Sequence, residues 1–431
     1  MGSFNGSTMA LLHRLIVKFT SLFLLVSLAF CYYVSVRSVA QYPAMTDFGK
    51  FYASAQFFRD GQDIYSPVAI TALGPLPPDT QLYGQFLHPN LNLPVVTALF
   101  VPLTFLDFSA AFMCWSAFSM LCGLVAIRLV ASKLQVTLPR GTGTLWLAIL
   151  LLSYYPTWCT IRLGQVSLVL FLLLAMGWAA AREDKYRLAG LAIGLALLLK
   201  IFVLALIPFF LAAKRWRLAI WSLGVFAAGL LFSLAACGLD AHRAYIDAIS
   251  GITWYGFNWN ASLLGFFSRI FGGAENTPAI DAPWIARMLA QSISLALFAR
   301  LLWLTWRGQC GDATWVFDLG FGLSLAIMLL AAPLGWMYYF PVLYIAFLAT
   351  VRVADAEDGG RWKAAIILTF TLGTLPIALA PGTEIDSAIA WLTWAAVPFY
   401  SLVMLTIVLF AMLQRVIGSS LTARTLATGS D

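Results

Sequence analysis

The chain reads as an all-α polytopic integral membrane protein, and three observations predict this. Its residues are 61% hydrophobic and only 10% charged, whereas a soluble domain carries about a quarter charged residues. Its mean hydropathy is +0.86. Its apolar residues fall in repeated long runs of Leu, Ala, Phe and Val that lack period-two alternation, which favours spanning helices over a barrel. Helices satisfy their own backbone in lipid, so the 431 residues are expected to form one bundle of about 11–12 helices rather than several soluble domains.

The first run follows His13, Arg14 and Lys18 and extends from Leu15 to Val36 without a clear small-residue cleavage site. It reads as a retained first helix with a cytoplasmic N-terminus. The helix exits near Val39, so an external loop of residues 40–108 follows. Within it, Phe48, Phe51, Tyr52, Ala55 and Phe58 recur at helical spacing. They predict an amphipathic interfacial helix stopped at Gly61. Leu93 to Phe105 is apolar but broken by Pro94 and Pro102, which suits a second interfacial or partly inserted helix.

Ala110 to Val130 returns inward and ends on Arg128, Lys133 and Arg140. Leu145 to Cys159 goes out, Thr160 to Ser167 turns outside, and Val166 to Ala181 re-enters at Arg182, Lys185 and Arg187. Leu188 to Ala213 then presents a conflict. It is flanked on both sides by basic clusters, the second being Lys214, Arg215 and Arg217. A single crossing would put one cluster outside, against the tendency of Lys and Arg to stay in the cytoplasm. Two half-length helices bent near Lys200 resolve it, each rising about 20 Å against a hydrocarbon core of about 30 Å. The alternative is one tilted helix with Lys200 paired to a carboxylate.

Ala219 to Cys237 exits, and residues 239–284 form a second external loop. Ile285 to Trp306, Trp315 to Ala332, Trp336 to Thr350, Ala364 to Ala380 and Ile389 to Leu413 then alternate, with Glu384 and Asp386 outside and Arg415 and Arg424 inside. Residues 1–417 are thus expected to form a single transmembrane domain, and 418–431 a disordered cytoplasmic tail.

The net charge of +7 fits cytoplasmic loops of a membrane protein, so no nucleic-acid partner is expected. The six cysteines include no CxxC pair, and His13, His88 and His242 have no ligand spacing. No disulfide, metal or cofactor is assigned. Walker P-loop, HExxH and GxSxG patterns do not occur.

On this topology the external face gathers Asp47, Arg162, Gln165, Lys200, Asn260, Ser262, Arg269, Trp336, Tyr338 and Tyr339. Cations suit a phosphate, aromatic rings and amides suit a sugar, and a carboxylate suits removal of a proton from an attacking hydroxyl. Plainer roles stand beside these. Asp47 is equally placed to cap the helix beginning at Phe48, and Arg162 and Arg269 to snorkel at the membrane surface. The tyrosines and tryptophans suit ordinary interfacial positions. Asn260-Ala261-Ser262 also spells a glycosylation sequon. Lys50, Arg59, Asp60 and Asp63 read as charges at a wet boundary. A lysine at Lys200 within an apolar hairpin is costly unless it meets an anion or a hydrated cavity.

Five pieces in order carry a family resemblance: DFGKFYASAQFFRDGQDIY, LGQVSLVLFLLLA, LAGLAIGLALLLKIFVLALIPFFLAAKRWR, NASLLGFFSR and APLGWMYY. With them the chain resembles the GT-C glycosyltransferases that use polyprenyl-phosphate sugars, and most of all glycosyltransferase family 87. The resemblance implies a membrane hexosyltransferase of the cell envelope, acting in glycolipid biosynthesis on the outer face of the cytoplasmic membrane. The implied donor is a polyprenyl-phosphate monosaccharide, mannose first and arabinofuranose second. The implied acceptor is a glycolipid or lipid-linked glycan. Asp47 matches the family's catalytic base in an inverting transfer, and Lys200 and Arg269 match contacts to the donor phosphate. The donor phosphate is its own leaving group, so the resemblance does not call for a metal. Where the family often has histidine after SW, this chain has Tyr338 and Tyr339 after GW. The rival reading from another class is a lipid-linked sugar flippase, which would be expected to show two related halves; no such repeat is evident.

Overall fold

The computed structural model describes residues 6–70, 74–76, 89–272, 280–308, 313–356, 360–377 and 388–428. The protein is a multi-pass membrane protein. Among the described residues it is helical, and no β-strand is formed. Seven helices are long and apolar enough to cross a membrane, and a bent pair makes an eighth if counted as one span. The expected positions of Glu384 and Asp386 lie outside the described residues.

The first half opens with α1 (Gly6–Val39), followed by α2 (Asp47–Arg59), α3 (Pro94–Ala98) and α4 (Phe108–Lys133). Helix α2 differs from expectation in one respect. Its apolar face does not lie open at the interface but is docked on protein. Phe48 is fully buried and packs on Phe100, Phe112 and Trp115, with ring centroids 6.0, 5.5 and 6.4 Å away. The helix stops as expected at Gly61, which takes φ 69, a left-handed conformation that glycine adopts without a Cβ penalty.

The expected crossing from Leu145 to Cys159 is broken. Helix α5 (Gly143–Ser153) and helix α6 (Tyr155–Leu163) meet at 70°. Pro156 is the cause, because it cannot donate to the carbonyl four residues back, that of Leu152. The Tyr32 hydroxyl donates to that carbonyl instead, at 3.0 Å. Helix α7 (Ser167–Arg182) follows.

The next segment forms the expected hairpin. Helix α8 (Tyr186–Leu199) ends at Lys200, whose backbone is extended at φ −148, ψ 111. A 3-10 turn over Ile201–Ala205 leads into α9 (Leu206–Ala212). Both ends of this unit lie at the same end of the bundle. Arg215 donates to Ala181 O at 2.6 Å and to Asp184 Oδ1 at 3.0 Å. Arg182 donates to Lys133 O at 2.6 Å, and Lys133 pairs with Glu183. The basic clusters that conflicted in sequence are thus neighbours in space, and Lys200 sits at the far tip.

Helix α10 (Trp216–Ser250) packs along α8 through a small-residue stripe. A Cβ on Gly190 or Gly194 would come within 2.2 Å of Trp221 Cβ or 2.5 Å of Val225 Cβ, so the stripe permits a close helix approach. Helix α10 also extends into the residues expected to form the second external loop. It runs past Cys237 through a break at Gly238 (φ 79, ψ 169) and continues to Ser250.

The second half contains α11 (Leu263–Phe271), α12 (Pro283–Gly308), α13 (Ala313–Ala331), a 3-10 turn over Met337–Leu343, α14 (Tyr344–Ala356) and α15 (Gly360–Thr374). The expected last crossing is split into α16 (Ala388–Trp394) and α17 (Val397–Thr428), so the expected tail begins inside α17. The core lies where α7, α13, α14 and the 3-10 turn meet, around Trp178, Phe321, Phe340 and Tyr344.

Candidate active site

At the end of the bundle opposite the basic clusters lies a cavity of about 660 Å³. Asp47, Lys50, Asn92, Gln165, Lys200, Trp259, Trp336, Tyr338 and Tyr339 are among the residues that line it. The segments that build it are distant in sequence and held together by a few specific bonds.

Asp47 is the first residue of α2, not its cap. Thr46 holds the cap position, and its Oγ1 accepts from Gly49 N at 3.0 Å. The capping role open to Asp47 in sequence therefore falls to its neighbour. Both Asp47 oxygens are engaged by other side chains. Lys50 Nζ lies 2.5 Å from Oδ1, one helical turn on, and Gln165 Nε2 donates to Oδ2 at 2.6 Å. Burial pushes the Asp47 carboxyl up, but the Lys50 charge, the hydrogen bonds from Lys50 and Gln165 and the Lys200 charge outweigh it. Together they hold it below its ordinary value of 3.8, so it is an ionised acceptor at neutral pH.

Gln165 is placed by the turn that closes α6. Gly164 adopts φ 68, and Gln165 N reaches back to Thr160 O at 2.9 Å, as left-handed helix ends do. Trp115 Nε1 donates to Gly164 O at 2.8 Å, and Thr160 Oγ1 donates to Tyr338 O at 2.6 Å. The turn is thereby fastened to α4 on one side and to the 3-10 turn on the other.

Lys200 is only 9% exposed. Its ammonium donates to Asn92 Oδ1 at 2.7 Å and stands 5.5 Å from the centre of the Tyr339 ring. Asn92 is itself fixed by Asn90, whose Oδ1 accepts from Asn92 N and Nδ2 at 3.1 and 2.9 Å. A buried ammonium held by one neutral amide and one ring face retains capacity for an anionic partner.

The aromatic wall comes from two loops joined by a short antiparallel bridge between Asn260 and Trp336. Met337 N donates to Trp259 O and Ala261 N donates to Gly335 O, both at 3.0 Å. The Trp259 and Trp336 rings lie 4.9 Å apart, and those of Tyr338 and Tyr339 lie 4.8 Å apart. Flat apolar rings beside polar groups provide a surface on which a sugar ring can stack.

Four expected site residues do not line the cavity. Asn260 is fully buried. Its Nδ2 donates to Tyr255 O and Pro333 O at 2.8 and 2.9 Å, and its Oδ1 accepts from Ser262 N. That geometry leaves the sequon amide no room for a glycan. Ser262 caps α11 by accepting from Gly265 N at 2.9 Å. Arg269 donates to Phe257 O and Asn260 O, each at 3.1 Å. These three side chains stitch the frame behind the aromatic wall. Arg162 donates to Ser35 Oγ at 3.2 Å and stacks over Trp158; it fastens α6 to α1. Lys50, expected only as a charge at a wet boundary, and Asn92, for which no role was expected, also line the cavity. Lys50 carried a signal, since three residues after Asp47 on a helix is the same face. Asn92 carried none beyond its place before Pro94.

The sequence profile of glycosyltransferase family 87 matches residues 90–333, more than half of the chain. The chain belongs to glycosyltransferase family 87. The match contains Asn92, Gln165 and Lys200, while Asp47, Lys50 and the Trp336–Tyr339 segment flank it. Two curated relatives share its sequence. Both are named polyprenol-phosphate-mannose-dependent alpha-(1-2)-phosphatidylinositol pentamannoside mannosyltransferase. The one from Mycolicibacterium smegmatis is 27% identical over 260 residues, 59% of this chain and 59% of the relative. The one from Mycobacterium tuberculosis is 27% identical over 224 residues, 51% of this chain and 49% of the relative. The chain thus matches only about half to three-fifths of the length of these family members. Among the described residues no group of His, Cys, Asp and Glu is arranged to hold a metal.

Proposed function

We propose that the protein is an inverting mannosyltransferase that takes its sugar from a polyprenyl-phosphate donor and passes it to a glycolipid or lipid-linked glycan. The observation that carries this reading is the meeting of one ionised carboxylate, Asp47, with the lysines Lys50 and Lys200 in a cavity walled by aromatic rings. Family membership and the names of the two relatives supply the donor and sugar class.

In the reaction an acceptor hydroxyl oxygen attacks the anomeric carbon from the face opposite the phosphate. The new glycosidic C–O bond forms as the bond from that carbon to the phosphate oxygen breaks. The hydroxyl proton passes to Asp47, and polyprenyl phosphate departs with the electron pair. Asp47 is a weak base at rest, but the attacking hydroxyl becomes acidic as its bond to carbon forms. Gln165 keeps the carboxylate aimed, and Lys200 stabilises charge growing on the phosphate. Lys200 Nζ, held toward Asn92, marks the phosphate end of the cavity, and Trp259 and Trp336 mark a sugar-stacking end.

The distribution of charge supports the proposed membrane side. Lys133, Arg182, Lys185, Arg215 and Arg352 share one end of the bundle, the cytoplasmic end by the positive-inside tendency. The cavity at the opposite end then faces outward from the cytoplasmic membrane.

The test is Asp47→Asn in purified protein, assayed for transfer of labelled mannose from a short-chain polyprenyl-phosphate mannose to a glycolipid acceptor. The expected loss is about 10²–10⁴-fold in kcat, the range for a positioned general base, with folding intact. Undiminished transfer would overturn the base assignment. Movement of the intact donor across a vesicle membrane with no glycosidic product would replace the enzyme reading with a flippase.

A further inference from the structure

The ion pair between Lys50 and Asp47 is an awkward resting arrangement for a base. Lys50 Nζ sits 2.5 Å from Asp47 Oδ1, on one of the two oxygens that would accept a proton. Both side chains line the cavity, and Lys50 retains 20% side-chain exposure. The pair is therefore not a sealed structural bridge. It stands open to whatever enters.

Charge accounting gives the pair a role. Among the described residues lining the cavity, two lysines face one carboxylate, which leaves one positive charge. A polyprenyl-phosphate sugar is a phosphodiester with one negative charge, so donor binding neutralises the cavity. During transfer the phosphate becomes a monoester and gains a second negative charge, while Asp47 takes a proton and loses its own. Negative charge moves from the carboxylate to the phosphate. Lys200 is held by Asn92 at 2.7 Å and buried, so it remains in place. Lys50 loses its partner at the moment the phosphate gains charge. A lysine is a point charge on a flexible four-carbon stem, suited to follow it.

We propose that Lys50 is a partner-switching catalytic residue, bound to the Asp47 carboxylate in the resting protein and to the donor phosphate during transfer. Gln165 holds the other Asp47 oxygen at 2.6 Å, so the base keeps its position when Lys50 leaves. The inference rests on the proposed reading of Asp47 as the base and of the ligand as a prenyl phosphate. Asp47 and the phosphate compete for Lys50, and that competition is measurable without turnover.

The experiment measures the affinity of a short-chain prenyl monophosphate for wild type, Asp47→Asn, Lys50→Met and the double variant, each checked for folding by size-exclusion profile and melting temperature. Asp47→Asn frees Lys50 and is expected to bind the monophosphate about 5–10-fold more tightly than wild type, a coupling of about 1–1.4 kcal/mol. Lys50→Met is expected to bind it at least about tenfold more weakly, and the double variant to lose the gain given by Asp47→Asn. Lys50→Met is also expected to lower kcat about 10²-fold, as removal of one transition-state donor does, and Lys50→Arg to recover part of it. If Asp47→Asn does not tighten binding, or the gain survives in the double variant, Lys50 does not switch partners. The base assignment would stand independently as long as Asp47→Asn abolishes transfer.

Discussion

Replacing Lys200 with methionine should separate activity from stability, because the two depend on the same ammonium with opposite sign. Lys200 is 9% exposed, with one hydrogen bond to Asn92 and one ring beneath it. A buried ammonium costs several kcal/mol in desolvation even after the structure relaxes. Methionine keeps the unbranched stem and removes that cost. It leaves Asn92 Oδ1 without its donor, at about 1–3 kcal/mol. The two terms offset, so net stability should change by less than about 2 kcal/mol in either direction. In the proposed mechanism, catalysis loses a fixed positive charge at the growing phosphate dianion, about 10²–10³-fold in kcat or about 2.7–4 kcal/mol. The check is a melting curve in detergent beside single-turnover transfer from a polyprenyl-phosphate mannose. A variant that melts like wild type and transfers at least about a hundredfold more slowly is expected. A variant that transfers at the wild-type rate would refute the assignment of Lys200 to the phosphate. A variant that has lost its fold as well would refute the claim that the ammonium is a burden on stability.

Two further outcomes follow from the site. The Asp47 carboxyl is held below 3.8, so it favours the folded state fully above its unfolded value and loses that contribution only as pH falls through its lower folded value. The acid limb of the pH–rate profile should accordingly lie below that of an ordinary carboxylate, and Lys50→Met should move it upward. Gly164→Ala should destabilise the protein by about 1–3 kcal/mol. Its φ is 68, and a Cβ there would meet Phe48 Cβ at 2.5 Å and Phe112 Cε2 at 2.8 Å; a thermal melt checks it, and an unchanged melting temperature would refute it.

The fold was legible because lipid restricts the options. Apolar runs had to be helices, and basic clusters fixed which ends lie together. The conflict between the clusters flanking Leu188 to Ala213 was the most informative feature, since only a hairpin satisfied both, and Arg215 does reach back to Ala181 and Asp184. The breaks at Tyr154 and Ala396 were not read. A break inside an apolar run leaves composition unchanged, and the compensating partner, Tyr32 for the Leu152 carbonyl, lies 120 residues away. The continuation of α10 past Gly238 was missed because Asp240, His242 and Arg243 look like loop residues. Helix propensity does not exclude them, and the second half of α10 carries Tyr245 to the cavity.

The site was half legible for a different reason. Asp47, Gln165, Lys200, Trp336, Tyr338 and Tyr339 converge as sequence placed them on one face. Arg162, Asn260, Ser262 and Arg269 share that face but turn to backbone carbonyls and hydroxyls. Sequence supplies the donor and not its acceptor, and an arginine aimed at a carbonyl reads the same as one aimed at a phosphate. The kind of acceptor and the access to the cavity decide the matter, and they set Arg269 apart from Lys200. Arg269 gives two bonds to carbonyls of its own loop at 3.1 Å, which fixes the wall against which a sugar would stack. Lys200 gives one bond to a neutral amide and borders an open cavity with Lys50 and Asp47. In a chain with so few charges, two cations and one anion sharing that space form a charge pattern one anion short of neutral, which is the complement of a phosphodiester.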